Sequence, residues 1–525
     1  MKCANSENAL KKCAKSYCIW KKTDFNIKTS MGLTSECNRP ISVYKQANLA
    51  NMNSMKTGFI AVAAFLLAAV QAVAADYVIT SLPNPDKEGY YYDFYGFGRT
   101  DTYTSNIAIP PNPTTGDNVT MYGFYDLKTN ASVSANVFNF YSSGIYGNGT
   151  SWYAKTKITA KEFNIYYKSK DAEDYSNAAP VDFVNVFQTY DNPVELAVGS
   201  MTLKALNVGE NYVNGNAEIV FSKFDDEIGG AATISTLRFR HSKTEGQVSN
   251  TTLTINEKFS LTVGSFYADD TGVSDGNTSL VHINGGVLNL GSFTHRNVKD
   301  VFTIKHSSGT LAATANLTID AVSGGSLTYA LGENSVFDTN GNTIAIGSGV
   351  TVAAADGAAG GFTVKGGGAL SIAADVSAVT GNVSVEDGSS LSLSGGWISN
   401  AQSLTVGAGS SVSSSTDILL NADALMVIGV AGGDSYGKIS GELVGDSFGK
   451  LYFQVDSSAD GVFSINLSDI IQSESDIDWS KFEFESNVQF GVDNGVISFN
   501  VPEPAEWAAL MGFLSLAAAF VRRRK

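Results

Sequence analysis

Cysteine is missing from nearly all of this chain. The 525 residues contain four, Cys3, Cys13, Cys18 and Cys37, all within the first 51. Everything beyond that point has no disulfide staple and no thiol nucleophile. The Cys13-x4-Cys18 spacing invites a metal reading. Only Cys3 and Cys37 could complete such a site, at irregular spacing and without a nearby histidine, so no metal is assigned. Histidine is also scarce: His241, His282, His295 and His306 form no His-x-x-x-His or His-Glu-x-x-His pattern. There is no Gly-x-Ser-x-Gly elbow and no P-loop. The adjacent pairs Asp225-Asp226 and Asp269-Asp270 point to opposite faces if they lie on strands, so neither makes a two-carboxylate site by itself. Gly432-Gly433-Asp434 is one fragment of a calcium repeat that never recurs. No catalytic residue, metal ligand or cofactor is expected.

Charge is sparse and one-sided. Charged residues make up 16% of the chain, so much of the surface must be Ser, Thr, Asn and Gly. From residue 76 onward, 25 Lys+Arg face 48 Asp+Glu, a net charge of −23. Such acidity argues against nucleic acid and anionic lipid surfaces as partners.

What is present concentrates at the two ends. The C-terminus reads Val501-Pro502-Glu503-Pro504, then an apolar run marked by Trp507, Leu510, Phe513, Leu516 and Phe520, then Arg522-Arg523-Arg524-Lys525. The prolines keep the motif extended, Trp507 sits where an interfacial anchor belongs, and the cations stay cytoplasmic. Fifteen apolar residues span about 22 Å as a helix, short of a roughly 30 Å hydrocarbon core, and flanking side chains would cover the difference. A buried C-terminal core helix is the alternative, but it would be amphipathic and would rarely end in four cations. Near the other end, Lys56 precedes the apolar stretch 59–70 and the small-residue sequence around Ala72, Ala74 and Ala75. This is the pattern of a signal peptide cut after Ala74 or Ala75. Met52 and Met55 are sensible starts, and residues 1–51 are expected to be an over-called start.

The tail closely resembles the PEP-CTERM sorting signal of Gram-negative bacteria, over residues 501–525 only. The resemblance implies export through the Sec translocon, cleavage by signal peptidase, transient anchoring in the inner membrane and processing by an exosortase. It places the protein at the cell surface or in an extracellular matrix, with exopolysaccharide as a possible partner. It implies nothing about the fold of the rest.

The middle of the chain repeats. Val364-Lys-Gly-Gly367-Gly-Ala-Leu370, Val385-Glu-Asp-Gly388-Ser-Ser-Leu391 and Val406-Gly-Ala-Gly409-Ser-Ser-Val412 recur every 21 residues, and Ile346-Gly-Ser-Gly349-Val-Thr-Val352 reads as a looser copy. Alternating apolar residues give half-buried strands, and the glycine permits a corner at positive φ. A constant period favours stacked coils of three short strands around a column of Val, Leu and Ile over hairpins in a sandwich. The expected fold is all-β: a parallel β-helix with β-rich caps, plus an N-terminal signal helix and a C-terminal transmembrane helix. The broad style resembles autotransporter passenger domains. The expected organisation is 52–75 signal peptide, 76–184 aromatic-rich cap, 185–444 solenoid, 445–500 C-terminal cap with a short helix near 467–471, and 501–525 sorting tail. His282 and His306, 24 residues apart, are expected to stack one coil apart. The aromatics of 90–97, with Trp152, Tyr153, Phe163, Tyr166 and Tyr167, read as capping residues; the alternative is a sugar-stacking surface. The leading functional expectation is a non-enzymatic surface or matrix structural protein. The alternatives are a carbohydrate-active enzyme, such as a polysaccharide lyase or hydrolase, or a glycan-binding adhesin on the same scaffold.

Overall fold

The computed structural model describes residues 76–80 and, with short gaps, 116–501. Both expected helices, at the signal peptide and in the tail, fall outside the described residues. Among the described residues no helix is long and apolar enough to cross a membrane. The described chain is all-β with almost no helix, wound into a parallel β-solenoid.

Three faces recur along it. The first carries Gly215–Ser222 and Ser249–Asn256, then the opening halves of the long strands Asn277–His295, Asp300–Ala313 and Ser326–Asp338. The second carries Gly230–Phe239, Phe259–Ala268 and the closing halves of the same long strands. It continues through Phe362–Lys365, Asn382–Val385 and Ser403–Val406. The third runs from Leu317–Ile319 through Thr343–Ile346, Ala369–Ile372, Ser390–Leu393 and Ser411–Ser414. The long strands turn from first to second face at one-residue slips in register, as at Ile283/Asn284 beside Gly285, whose φ is +84°. No proline lies between Pro193 and Pro502, as fits strands that must donate to neighbours on both sides.

The alternation seen in the sequence is the inside–outside alternation of the coils. Leu253, Ile255, Leu261, Val263, Ile304 and Ile319 all point inward and are buried. The core is more aromatic than a Val/Leu/Ile column, because Phe239, Phe266, Phe293 and Phe302 meet across the interior with ring centroids 5.0–6.0 Å apart.

The period is less regular than the repeat suggests. Val364 pairs with Val385 and Val385 with Val406, steps of 21, but the next steps, to Ile428, Phe453 and Ser486, are 22, 25 and 33. Insertions accumulate at corners, outside the paired strands, where they disturb no ladder. The 21-residue coils hold two strands and not three. Their remaining side is built from turns such as Val379 N–H to Val376 C=O at 3.0 Å, with Val376 and Val379 still buried. The copy at Ile346 is out of phase. Its first strand, Thr343–Ile346, lies on the third face and its second, Val350–Ala354, on the first, whereas the Val364 copy runs from second to third. Its Gly349 has no positive φ, unlike Gly367, Gly388 and Gly409 at +74°, +70° and +74°.

These corner glycines yield a clean expectation. A Cβ at Gly388 would meet no atom within 4 Å, so Gly388→Val has room and pays only in backbone conformation. It should cost about 1–2 kcal/mol, and Gly388→Asn clearly less, because Asn tolerates the left-handed region. Urea unfolding of both variants checks this ranking; equal costs would mean that crowding sets the penalty.

Parallel stacking does not wait for Asn185. Asp76–Thr80 pairs with Asn118–Phe124, which pairs with Ser132–Ser142, then Lys157–Tyr167, then Val194–Val208. The described strands of the segment read as an aromatic cap are therefore already coil, with Phe138, Phe140 and Phe163 in the core. At the far end, Lys450–Val455 and Glu483–Ser486 prolong the second face. A short helix occupies Leu467–Ile470. An antiparallel sheet of Gly461–Asn466, Val496–Val501 and Gln489–Asp493 packs Phe463, Phe490 and Phe499 against the core.

Candidate functional site

Of the sorting residues, only Val501 is described. It ends the central strand of the antiparallel sheet, pairs with Gly461 and is buried. Pro502, Glu503, Pro504, the apolar residues Trp507 to Phe520, the basic residues Arg522 to Lys525, and Ala72, Ala74 and Ala75 lie outside the described residues, as do Asp269, Asp270 and residues 90–97.

The expected histidine stack does not form. His282 pairs with Lys305, and His306 with Ile283. One residue of offset sends the two rings to opposite sides of the sheet. His282 faces outward, half-buried, with Nε2 at 3.0 Å from Ser307 Oγ. His306 is wholly buried: Nε2–H donates to the Gly309 carbonyl at 2.9 Å, and Nδ1 accepts from the Tyr329 hydroxyl at 3.1 Å. Burial pushes His306 down to about 4 and Tyr329 well above its ordinary value.

Asp225 and Asp226 are structural. Asp225 Oδ1 accepts the backbone N–H of Glu227 and Ile228 at 3.0 and 2.6 Å, closing a turn. Asp226 bridges Lys223 and Lys258 at 2.7 and 2.8 Å, and hydrogen bonds to the two ammonium groups hold its carboxyl at about 2. Gly432-Gly433-Asp434 is a hairpin turn between Val430 and Tyr436. Among the described residues, no three of His, Cys, Asp and Glu converge as a metal site.

One constellation escaped the sequence. His241, Ser249, Ser279 and Asp300 meet inside the coil, beside Thr251 and Asn277. His241 Nδ1 lies 3.0 Å from Ser249 Oγ and Nε2 lies 2.9 Å from Ser279 Oγ, which donates to Asp300 Oδ2 at 2.8 Å. Asp300 Oδ1 faces His241 Nε2 at 3.5 Å. The Nε2–H tautomer satisfies this chain: Ser249 donates to Nδ1, and Nε2–H donates to Ser279. The residue types are those of a hydrolase triad, but every member is at most 3% exposed, so substrate is excluded. The arrangement does the work of a core. It gives partners to most of its buried polar groups, with Asp300 Oδ1 left without a hydrogen bond, where the inward columns change from polar residues to Leu253, Val281 and Phe302. The inward polar residues at alternating positions of two strands, Ser249 and Thr251 on one and Asn277 and Ser279 on the other, were the available signal.

Two concavities open on the outside. A polar groove of about 680 Å³ crosses three coils on the third face, lined by Ser414, Thr416, Asp417, Glu442, Gln472 and Glu474. Glu442 accepts from Ser473 Oγ at 3.1 Å and from Ser475 N–H at 3.2 Å; hydrogen bonding from the Ser475 side chain first, then from Ser473 and the Ser475 backbone, holds its carboxyl below the usual range. The second, of about 290 Å³, lies on the second face over Asn164 and Tyr166. Tyr166 stacks on its register partner Tyr141, centroids 4.8 Å apart at 22°. The aromatic segment thus divides: Phe138, Phe140 and Phe163 are core, whereas these two tyrosines are half-buried on the surface.

No protein-family model and no curated protein matches the sequence.

Proposed function

We propose that this chain is an exported structural protein of the cell surface or extracellular matrix, delivered by its C-terminal tail after removal of a signal peptide. One observation supports the reading most: the described residues wind into a parallel β-solenoid with a continuous apolar interior, while outward positions such as Thr252, Thr254, Ser260 and Thr262 are polar. The polar exterior, the sealed Ser–His–Asp set and the parallel ladders fit a stiff scaffold whose role is mechanical and adhesive. In this reading the motif met by an exosortase-type protease begins at Val501, the last residue of the strand Val496–Val501.

Terminal-peptide mass spectrometry on fractionated native cells tests it. A mature chain starting at Ala75 or Asp76 and ending near Pro504, found in the surface or matrix fraction, is the expected result. Peptides from residues 1–51, or an intact tail persisting in the inner membrane, would overturn it.

A further inference from the structure

We propose that the pocket over Tyr166 binds one neutral pyranose unit of a polysaccharide, with the tyrosine ring as its stacking platform. The strand Lys157–Tyr167 lies between Ser132–Ser142 below and Val194–Val208 above. Tyr141 comes from the strand below and covers one side of the Tyr166 ring. The rest of the pocket comes from the other side: Ser200 and Thr202 from Val194–Val208, and Thr233 from Gly230–Phe239. Pro180, paired opposite Tyr166, supplies a second apolar wall. Asn164 donates to Asn139 at 3.1 Å, which fixes its amide at the pocket floor.

This combination suits a sugar ring. A pyranose offers C–H groups on its face and hydroxyls on its rim, matched here by an aromatic and a proline wall and by hydroxyls and an amide around them. The volume of about 290 Å³ is at the lower edge for small-molecule sites, enough for one ring with its substituents. Charge selects against other ligands. None of the lining residues is ionisable at neutral pH, although the chain carries 51 Asp+Glu. Lys204, two residues beyond Thr202, is neutralised by Asp182 at 2.6 Å. A uronate, a phosphate or a cation would find no partner here. The pocket is read from its own geometry and rests on the surface-protein reading only for where the polysaccharide would be met.

Affinity electrophoresis of the full chain tests it, in gels containing dextran, galactomannan or hydroxyethylcellulose, with alginate as the anionic comparator. Retardation by at least one neutral polymer is expected, with dissociation constants raised at least tenfold in Tyr166→Ala. Tyr166→Phe should stay within about threefold, since the ring remains. Thr202→Trp fills the pocket from an exposed position without disturbing the tyrosine stack, and should abolish retardation while the circular dichroism spectrum is unchanged. No retardation by any neutral polymer, retardation by alginate alone, or full binding by Thr202→Trp would overturn the proposal. Any of these outcomes leaves the terminal-peptide result untouched, so the two readings fail separately.

Discussion

Truncating Phe302 to alanine is expected to destabilise the centre of the solenoid by about 3–5 kcal/mol. Phe302 is fully buried and is the hub of the interior aromatics, with ring centroids of Phe239, Phe266, Phe293 and His295 at 6.0, 5.8, 5.4 and 5.9 Å. Its loss removes a large apolar volume and four ring contacts in one step, and the surrounding strands cannot collapse without breaking register with the coils on either side. The damage should also be local. A coil touches only its neighbours, so amide exchange measured by mass spectrometry should rise steeply over 249–313 and stay unchanged over 362–414. Phe302→Leu should recover much of the protection. Uniform loss of protection along the chain would show that the coils unfold as one unit.

Acidification should weaken the coil around His306, by about 3 kcal/mol between pH 7.5 and pH 4. The ring's native value is about 4, against 6.5 in an exposed chain. Between these values the unfolded state binds a proton that the folded state refuses. Stability therefore rises with pH across this window, is fully present above about pH 7, and is lost as pH falls toward 4. Burial is the main cause, and the Gly309 hydrogen bond opposes it only in part. His306→Gln keeps a donor for the Gly309 carbonyl but cannot take up the proton. Urea midpoints at pH 7.5 and pH 5.0 should show the variant less stable at neutral pH, by about 1–2 kcal/mol, yet with a much smaller drop between the two. A variant with the wild-type drop would assign the acid sensitivity to other groups, of which half-buried His282, also lowered by burial and by Lys305, is the next candidate.

How much of this was legible beforehand follows from what each signal encodes. Period-two alternation encodes inside against outside, so Leu253, Val263, Val364, Val385 and Val406 were placed correctly in the core. It does not encode which of three faces a strand joins, and the copy at Ile346 therefore sat out of phase unnoticed. Coil length is set by corner insertions that no ladder constrains, so a period read from three copies could not be extended upstream. The register on this face is a step of 23 residues, as in His282 to Lys305, and that one-residue difference from 24 separates His282 from His306. The polar cluster at His241 was missed for a different reason: its members come from positions 241, 249, 279 and 300, and only the winding of the coil brings them together. On the surface, Tyr166 was singled out but not distinguished from Phe163, three residues away, which the same strand turns into the core.

The variable corners carry a consequence for wear. Each strand is gripped by hydrogen bonds to the rung above and the rung below, and the chain passes between faces only at the corners, where extra residues collect. Scission at one corner frees no segment, because both new ends remain zipped into the ladder. A molecule cut several times should migrate as one body under native conditions and fall into fragments only in denaturant. For a protein exported as proposed, that is endurance conferred by geometry in described coils that contain no cysteine.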